Sequence, residues 1–103
     1  MTAKKDDRLI SAIHAAAAEF INRESNRRSL VTVTSADLPD EKHARVFISV
    51  FPQKDAHAAM DFLARRHGEF MAFLKKSVKL HTVPIVSFLP DPAMGSVADE
   101  SEA

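Results

Sequence analysis

The stretch Ala44–Phe51, ARVFISVF, carries the clearest β-strand signal in the 103-residue chain. Its β-branched residues Val46, Ile48 and Val50 fall at every second position, and side chains two residues apart in a strand share one face. The pattern therefore predicts a strand with these three residues on one face and, on the other, Arg45, Phe47, Ser49 and Phe51. Pro52 is expected to end this strand, because proline cannot donate a backbone hydrogen bond.

Two further strands are predicted, one before this strand in the chain and one after it. Leu30–Thr34, LVTVT, alternates and is β-branched, and the turn residues of Ala36–Lys42 separate it from the strand at Ala44–Phe51. Two strands joined by so short a loop most simply form an antiparallel pair. Val83–Leu89 reads as a third strand, with Pro84 expected at its start or on an edge of the sheet.

The remaining periodic segments are helical. Arg8–Glu24 has apolar residues at spacings of three and four, and Asp6 or Asp7 is the expected N-cap. Asp55–Arg66 has the same periodicity, which resumes after Gly68 as far as Val78. Glycine disfavours a helix interior by about 1 kcal/mol relative to alanine, so we expect a break or kink near Gly68.

The order is thus helix, strand, strand, helix, kink, helix, strand, which predicts a two-layer α+β domain with a three-stranded sheet. We expect this domain to span residues 8–91, after a flexible N-terminus at residues 1–7. Residues 92–103 are predicted to be a disordered acidic tail, since they combine low apolar content with acids and no base. The chain has a net charge of zero, with 14 basic and 14 acidic residues, and all 14 basic residues precede this tail.

Composition excludes several classes of function. There is no cysteine, so disulfides and thiolate chemistry are absent, and the five histidines form no HExxH pair or other tight metal-ligand spacing. Only two glycines are present, which excludes a Walker A loop, a dinucleotide fingerprint and a GXXG clamp. No apolar run reaches the roughly 20 residues of a membrane span, and no signal peptide is evident. We therefore expect a soluble, cytoplasmic protein that is not an enzyme and holds no metal.

Basic residues form two clusters in the sequence. The first holds Arg65, Arg66, Lys75, Lys76 and Lys79, and the second holds Arg23, Arg27 and Arg28. If the two clusters meet on one face, they form a phosphate-binding surface; the alternative is a solvated helix face. Because tyrosine and tryptophan are absent, recognition of RNA backbone and shape fits better than base stacking.

Taken together, these segments resemble the ribosome-binding factor A family over about Arg8–Asp91. The resembling stretches are the polar helix end Asn22-Arg23-Glu24, the strand Val31-Thr32-Val33-Thr34, the strand at 44–50, the helix end at 63–68 and the closing Leu80-x-x-Val83-Pro84-x-Val86-x-Phe88-x-x-Asp91. The closing motif is the most specific of these. The resemblance implies a type II KH-like fold in which an Ala-x-Gly kink between two helices replaces the GXXG loop.

The sequence departs from the family pattern at several positions. Arg66-His67-Gly68 stands at the kink, so the glycine is kept and the alanine is not. Met71, His81 and Ile85 replace residues that are often charged in the family, whereas Lys79 keeps the basic character. These changes point to a divergent or specialised member.

The resemblance implies binding to the small (30S) ribosomal subunit and its 16S rRNA, with a role in late maturation of that RNA, no catalysis and no cofactor. A monomer is expected. The expected phosphate contacts are Arg65, Arg66, Lys75, Lys76 and Lys79, with Arg23, Arg27, Arg28 and Arg45 as secondary candidates, and Gly68 is expected to set the angle between two helices. The alternative is a KH-like protein-interaction module that has lost RNA affinity and binds through its exposed sheet or an edge strand.

Overall fold

The computed structural model describes residues 3–24, 29–78 and 83–93, with side chains described from residue 7 onward. The elements are α1 (Ala3–Glu24), β1 (Leu30–Asp37), β2 (His43–Phe51), a short 3-10 turn (Gln53–Asp55), α2 (Ala56–Arg65), α3 (His67–Ser77) and β3 (Ile85–Pro90). The predicted order of elements and the α+β class are confirmed. Arg27, Arg28, Lys79 and the predicted acidic tail beyond Ala93 lie outside the described residues.

The three strands form one sheet in the order β1-β2-β3. β1 and β2 are antiparallel, as predicted, whereas β2 and β3 are parallel, with Val46 opposite Phe88. The parallel pairing requires a long crossover between the two strands, and α2 and α3 provide it. β1 continues past its predicted end at Thr34 as far as Asp37, because a bulge between Val33 and Ser35 restores the pairing with β2.

The core lies between one face of the sheet and the three helices. Ala44, Val46, Ile48 and Val50 of β2 are at most 3% exposed, which confirms the predicted faces of the central strand. Phe70 of α3 is the largest fully buried side chain. Its ring lies 5.3 Å from that of Phe20 in α1 and 5.1 Å from that of Phe88 in β3. The Phe70 ring therefore contacts α1 on one side and the edge strand β3 on the other.

The start of α1 differs from the prediction. The helix begins at Ala3 rather than Arg8, so Asp6 and Asp7 lie inside it and neither is its N-cap. Residues 4–8 hold lysine, aspartate and arginine but no glycine or proline, and these residue types are compatible with a helix even without an apolar stripe. Apolar periodicity alone therefore placed the helix start too late.

The break between α2 and α3 falls at Arg66, two residues before Gly68. Arg66 has φ −97° and ψ 9°, and its N–H donates to the carbonyls of Phe62 and Leu63 at 3.1 and 3.2 Å. Gly68 is the second residue of α3, is exposed, and does not adopt a left-handed backbone conformation. A Cβ at this position would meet no described atom within 4 Å, so neither backbone strain nor close packing requires glycine there. We therefore assign the kink to Arg66, which corrects the expectation for Gly68.

A histidine side chain at the start of α3 forms a hydrogen bond with the edge strand of the sheet. Nε2 of His67 lies 2.7 Å from the carbonyl oxygen of Val86 in β3, so this ring nitrogen carries the proton and donates. Pro84 lies just before β3, which is an edge strand, as the sequence predicted.

Candidate nucleic-acid interface

Three predicted phosphate contacts lie exposed at the ends of the helices that cross over the sheet. Arg65 is the last residue of α2, and Lys75 and Lys76 occupy the last turn of α3. The neighbouring Leu74 is fully buried, so the helical repeat turns both lysines toward solvent. Cations are favoured in the last turn of a helix, where the backbone carbonyls carry partial negative charge.

Arg23 joins these residues from α1. Its guanidinium carbon lies 5.4 Å from the centre of the Phe73 ring in α3, within the range of a cation–π contact. Lys76 follows Phe73 by three residues, so it lies one turn further along the same side of α3. Arg23 belongs to the second basic sequence cluster, and Lys75 and Lys76 at the end of α3 belong to the first. The structure therefore brings members of the two clusters together.

No carboxylate in the described part of the chain pairs with any of these four cations, whose charges remain available to a ligand. We call them the helix-layer basic surface: Arg23, Arg65, Lys75 and Lys76. Arg65 ends α2 just before α3 begins, and Lys75 and Lys76 lie in the last turn of α3. These cations are therefore spread along α3, whose 11 residues span about 16 Å at a rise of about 1.5 Å per residue. An extended polyanion fits such a row better than a single small anion does.

Arg66 differs from its neighbours because its charge is already neutralised. Its Nη1 lies 2.9 Å from Oε1 of Glu24 in α1 and 2.9 Å from Oε1 of Glu69 in α3. The guanidinium also lies 5.1 Å from the centre of the Phe62 ring. The pairing with Glu69 follows from a spacing of three residues, but Glu24 is 42 residues away, and no local pattern identifies it.

Arg45 lies away from the helix-layer basic surface. It is on the face of the sheet opposite the helices, where it donates two hydrogen bonds to Asp37 and lies 5.4 Å from the Phe47 ring. The hydrogen bond from Arg45 lowers the pKa of the Asp37 carboxyl, and the same bond raises the pKa of Arg45. The structure therefore separates Arg45 from the other candidate phosphate contacts.

The face that carries Arg45 is covered by no helix in the described ranges, and we call it the open sheet face. It presents the alternate residues of all three strands, including Leu30 (66% exposed), Phe51 (73%) and Ile85 (53%). Leu30 and Phe51 are opposite each other in the β1-β2 pair. Their exposed apolar surface was not predicted as a patch from the sequence, although strand alternation had placed Phe51 on this face.

Met71, one of the departures from the family pattern, packs partly against the core. Its apolar side chain therefore contributes to the packing of α3 against the core.

The described residues offer little support for other chemistry. A crevice between α1, β1 and α2 is lined mainly by carbon, and Ser29, its hydroxyl residue, hydrogen-bonds to Asp55 at 2.9 Å. Within residues 7–24, 29–78 and 83–93, no three acidic or histidine side chains group so as to hold a metal ion. None of the helices in the described ranges is long and apolar enough to cross a lipid bilayer.

Solved structures share this architecture. The crystal structure of ribosome-binding factor A from Thermus thermophilus superposes with a TM-score of 0.72 at 26% sequence identity, covering 82% of this chain and 94% of that one. A homology model of the Thermus thermophilus factor, fitted into a cryo-EM map of its complex with the 30S subunit, gives a TM-score of 0.71 at 28% identity, covering 82% and 93%. The predicted KH-like fold is therefore confirmed.

Sequence comparisons point to the same family. Ribosome-binding factor A of Polynucleobacter necessarius is 34% identical over 93 residues, which cover 87% of this chain and 75% of the relative. That of Pseudomonas paraeruginosa is 37% identical over 90 residues, covering 82% and 70%. The sequence model described as ribosome-binding factor A matches residues 5–102. The chain therefore belongs to the ribosome-binding factor A family.

Proposed function

We propose that this protein binds the small ribosomal subunit through phosphate contacts from the helix-layer basic surface, and that it assists late maturation of 16S rRNA. The observation that carries the proposal is that four cations from three helices lie on one layer without a described carboxylate partner. The complex of the Thermus thermophilus factor with the 30S subunit supports the choice of partner.

Lys79, Arg27 and Arg28 extend the same basic sequence clusters, and we include them among the proposed contacts. Contacts of this kind position a protein on folded RNA without reading its sequence. The proposed role needs no catalytic step and no cofactor. We propose that the protein acts in the cytoplasm and as a monomer.

The experiment is co-sedimentation with small and large ribosomal subunits across a salt series. The test variant is Lys75→Gln with Lys76→Gln, and the matched control is Lys42→Gln with Lys54→Gln, which removes the same charge from exposed positions away from α3. Each lost phosphate contact makes the slope of log affinity against log salt shallower by about 0.7–0.9. The test variant should therefore lose roughly 1.4–1.8 units of slope, and at 0.1 M salt roughly 25- to 60-fold in affinity.

The control variant should bind with nearly the same affinity and the same salt slope as the wild type. Only the long-range attraction between the protein and the RNA changes slightly. Equal losses in the two variants would mean that net charge alone drives the binding, and the proposed surface would be wrong. Maturation has its own readout: cells lacking the protein should accumulate small subunits with unprocessed 16S rRNA, and the test variant should fail to correct this.

A second candidate function rests on a separate observation. The open sheet face exposes Leu30, Phe51 and Ile85, while its arginine is paired with Asp37. A neutral, apolar surface suits contact with a protein better than contact with phosphate. This interaction-module alternative predicts that the test variant keeps its binding and its salt slope.

A further inference from the structure

The charged group at the break between α2 and α3 differs in its pairing from the rest of the helix layer. Arg66 is 37% exposed and contacts two carboxylates, Glu24 at 26% exposure and Glu69 at 62%. Two negative charges beside one positive charge leave a locally negative group. Such a group attracts a phosphate poorly, although it lies within the first basic sequence cluster.

We propose that Arg66 is a positioning residue, which holds the last turn of α1, and with it Arg23, beside the basic end of α3 through its ion pair with Glu24. The inference rests on the proposed function for its effect on RNA binding. It assigns Arg66 a role other than the direct phosphate contact expected from the sequence.

The position of Glu24 explains why this turn needs an anchor. Glu24 is the last residue of α1, where the helix dipole disfavours a carboxylate and where helices fray. The guanidinium of Arg66 supplies the missing positive charge at 2.9 Å. The pair therefore removes a repulsion at the helix end and ties that end to the α2-α3 break.

The shape of the arginine side chain fits this role. A planar guanidinium can contact two carboxylates and stack on a ring at the same time, whereas an ammonium acts as a point charge. Arg66 does all three, with Phe62 as the ring.

The rest of α1 is fixed independently of this pair. Phe20, one turn before Glu24, packs against Phe70 and Phe73 of α3 at ring distances of 5.3 and 5.8 Å. Loss of the ion pair should therefore leave the domain folded and affect only the last turn of α1. Arg23 lies in that turn, so its place over Phe73 depends on the pair.

The test compares Glu24→Gln with Glu69→Gln. Both variants remove one negative charge next to the same guanidinium, so simple electrostatics predicts that both bind small subunits more tightly. If Arg66 acts through Glu24, Glu24→Gln should instead weaken binding by about threefold, the size expected for one partly exposed ion pair. Glu69→Gln should not weaken it, because Glu69 and Arg66 both belong to the α2-α3 unit.

The double variant Arg66→Gln with Glu24→Gln separates positioning from direct contact. Two residues that act as one unit give a double variant no weaker than the Arg66→Gln single variant. Tighter binding by Glu24→Gln, or a further loss in the double variant, would overturn the proposal even if the lysine variants support the proposed function.

A distance measurement tests the positioning without RNA. The chain has no cysteine, so Asn22→Cys and Ala72→Cys place spin labels only at exposed sites on α1 and α3. The distance distribution should broaden in Glu24→Gln and keep its width in Glu69→Gln. An unchanged distribution in both would overturn the positioning role, whether or not the protein binds subunits.

Discussion

The helix layer and the open sheet face both carry arginine, but they differ in what surrounds it. On the helix layer Arg66 is paired, but Arg23, Arg65 and two lysines have no described carboxylate partner. On the open sheet face Arg45 is held by Asp37. The open sheet face also exposes Leu30 and Phe51. A count of basic residues treats all these cations alike, but their pairing indicates which surface can attract a polyanion.

Phe70 links the two regions, and its loss should have the largest effect on both. Its ring is fully buried between Phe20 and Phe88, so Phe70→Ala should destabilise the protein by about 3–5 kcal/mol. That is a large part of the roughly 5–15 kcal/mol typical of a whole domain. Urea unfolding followed by circular dichroism measures it. A loss below about 1 kcal/mol would contradict the packing described for this ring.

The charge pairs of the sheet should make stability depend on acid. Hydrogen bonds from Arg45 lower the pKa of Asp37, and hydrogen bonds from Thr34 and the backbone of Ala93 lower the pKa of Asp91. A carboxyl group with a lowered folded-state pKa stabilises the protein above its unfolded pKa of 3.8, and this contribution is lost as pH falls below that value.

The melting temperature of the wild type should therefore fall between about pH 5 and pH 2 more than that of Asp37→Asn, which lacks one of these groups. At neutral pH the variant should melt below the wild type. Glu41→Gln, which removes an exposed acid from the nearby turn and leaves the Asp37–Arg45 pair in place, controls for the loss of one negative charge. Identical acid responses for Asp37→Asn and the wild type would show that the Arg45 pair adds no pH-dependent stability.

On the helix layer, Gly68→Ala should raise stability slightly. Gly68 lies in the first turn of α3, where the added methyl group meets no described atom, and alanine is the better helix former. We expect a gain of about 0.5 kcal/mol, at the lower end of the usual range for a helix. Thermal unfolding measures the gain. A loss of stability in this variant would instead show that the kink requires glycine.

A similarly small effect on stability, and none on binding, is expected from polar substitutions on the open sheet face. Leu30→Ser with Phe51→Ser removes apolar side chains that are more than half exposed, so the free energy of unfolding should change by only about 0.5 kcal/mol. Binding to small subunits and its salt slope should stay as in the wild type. Loss of binding in this variant, with the lysine variant unaffected, would transfer the proposed function to the open sheet face.

Local pattern was enough to predict the faces of the central strand. Val46, Ile48 and Val50 are buried as their alternation predicts, and the break between α2 and α3 lies within two residues of the expected glycine. The bulge that extends β1 depends on pairing with β2, so LVTVT alone could not reveal it.

The candidate site was less predictable from the sequence, because it too depends on contacts between segments that are far apart in the chain. Its residue types were visible in the sequence, but whether each charge is neutralised depends on contacts between distant segments. Glu24 reaches Arg66 across 42 residues, and Asp37 reaches Arg45 only because the β1-β2 register places them opposite each other. The sequence cluster therefore grouped Arg66 with Arg65, Lys75 and Lys76, although Arg66 is paired with carboxylates and, in the described part of the chain, the other three are not.

The hydrogen bond from His67 to Val86 has a consequence for how this protein behaves among other chains. Ile85 donates its N–H to the carbonyl of Lys42, the residue just before β2, so the next residue, Val86, turns its backbone groups toward the outer edge of the sheet. His67 occupies the carbonyl there, and Pro90 has no N–H to offer at the far end of the strand. An exposed strand edge is a template for aggregation, and these two features leave a foreign strand fewer backbone groups with which to pair along this short edge.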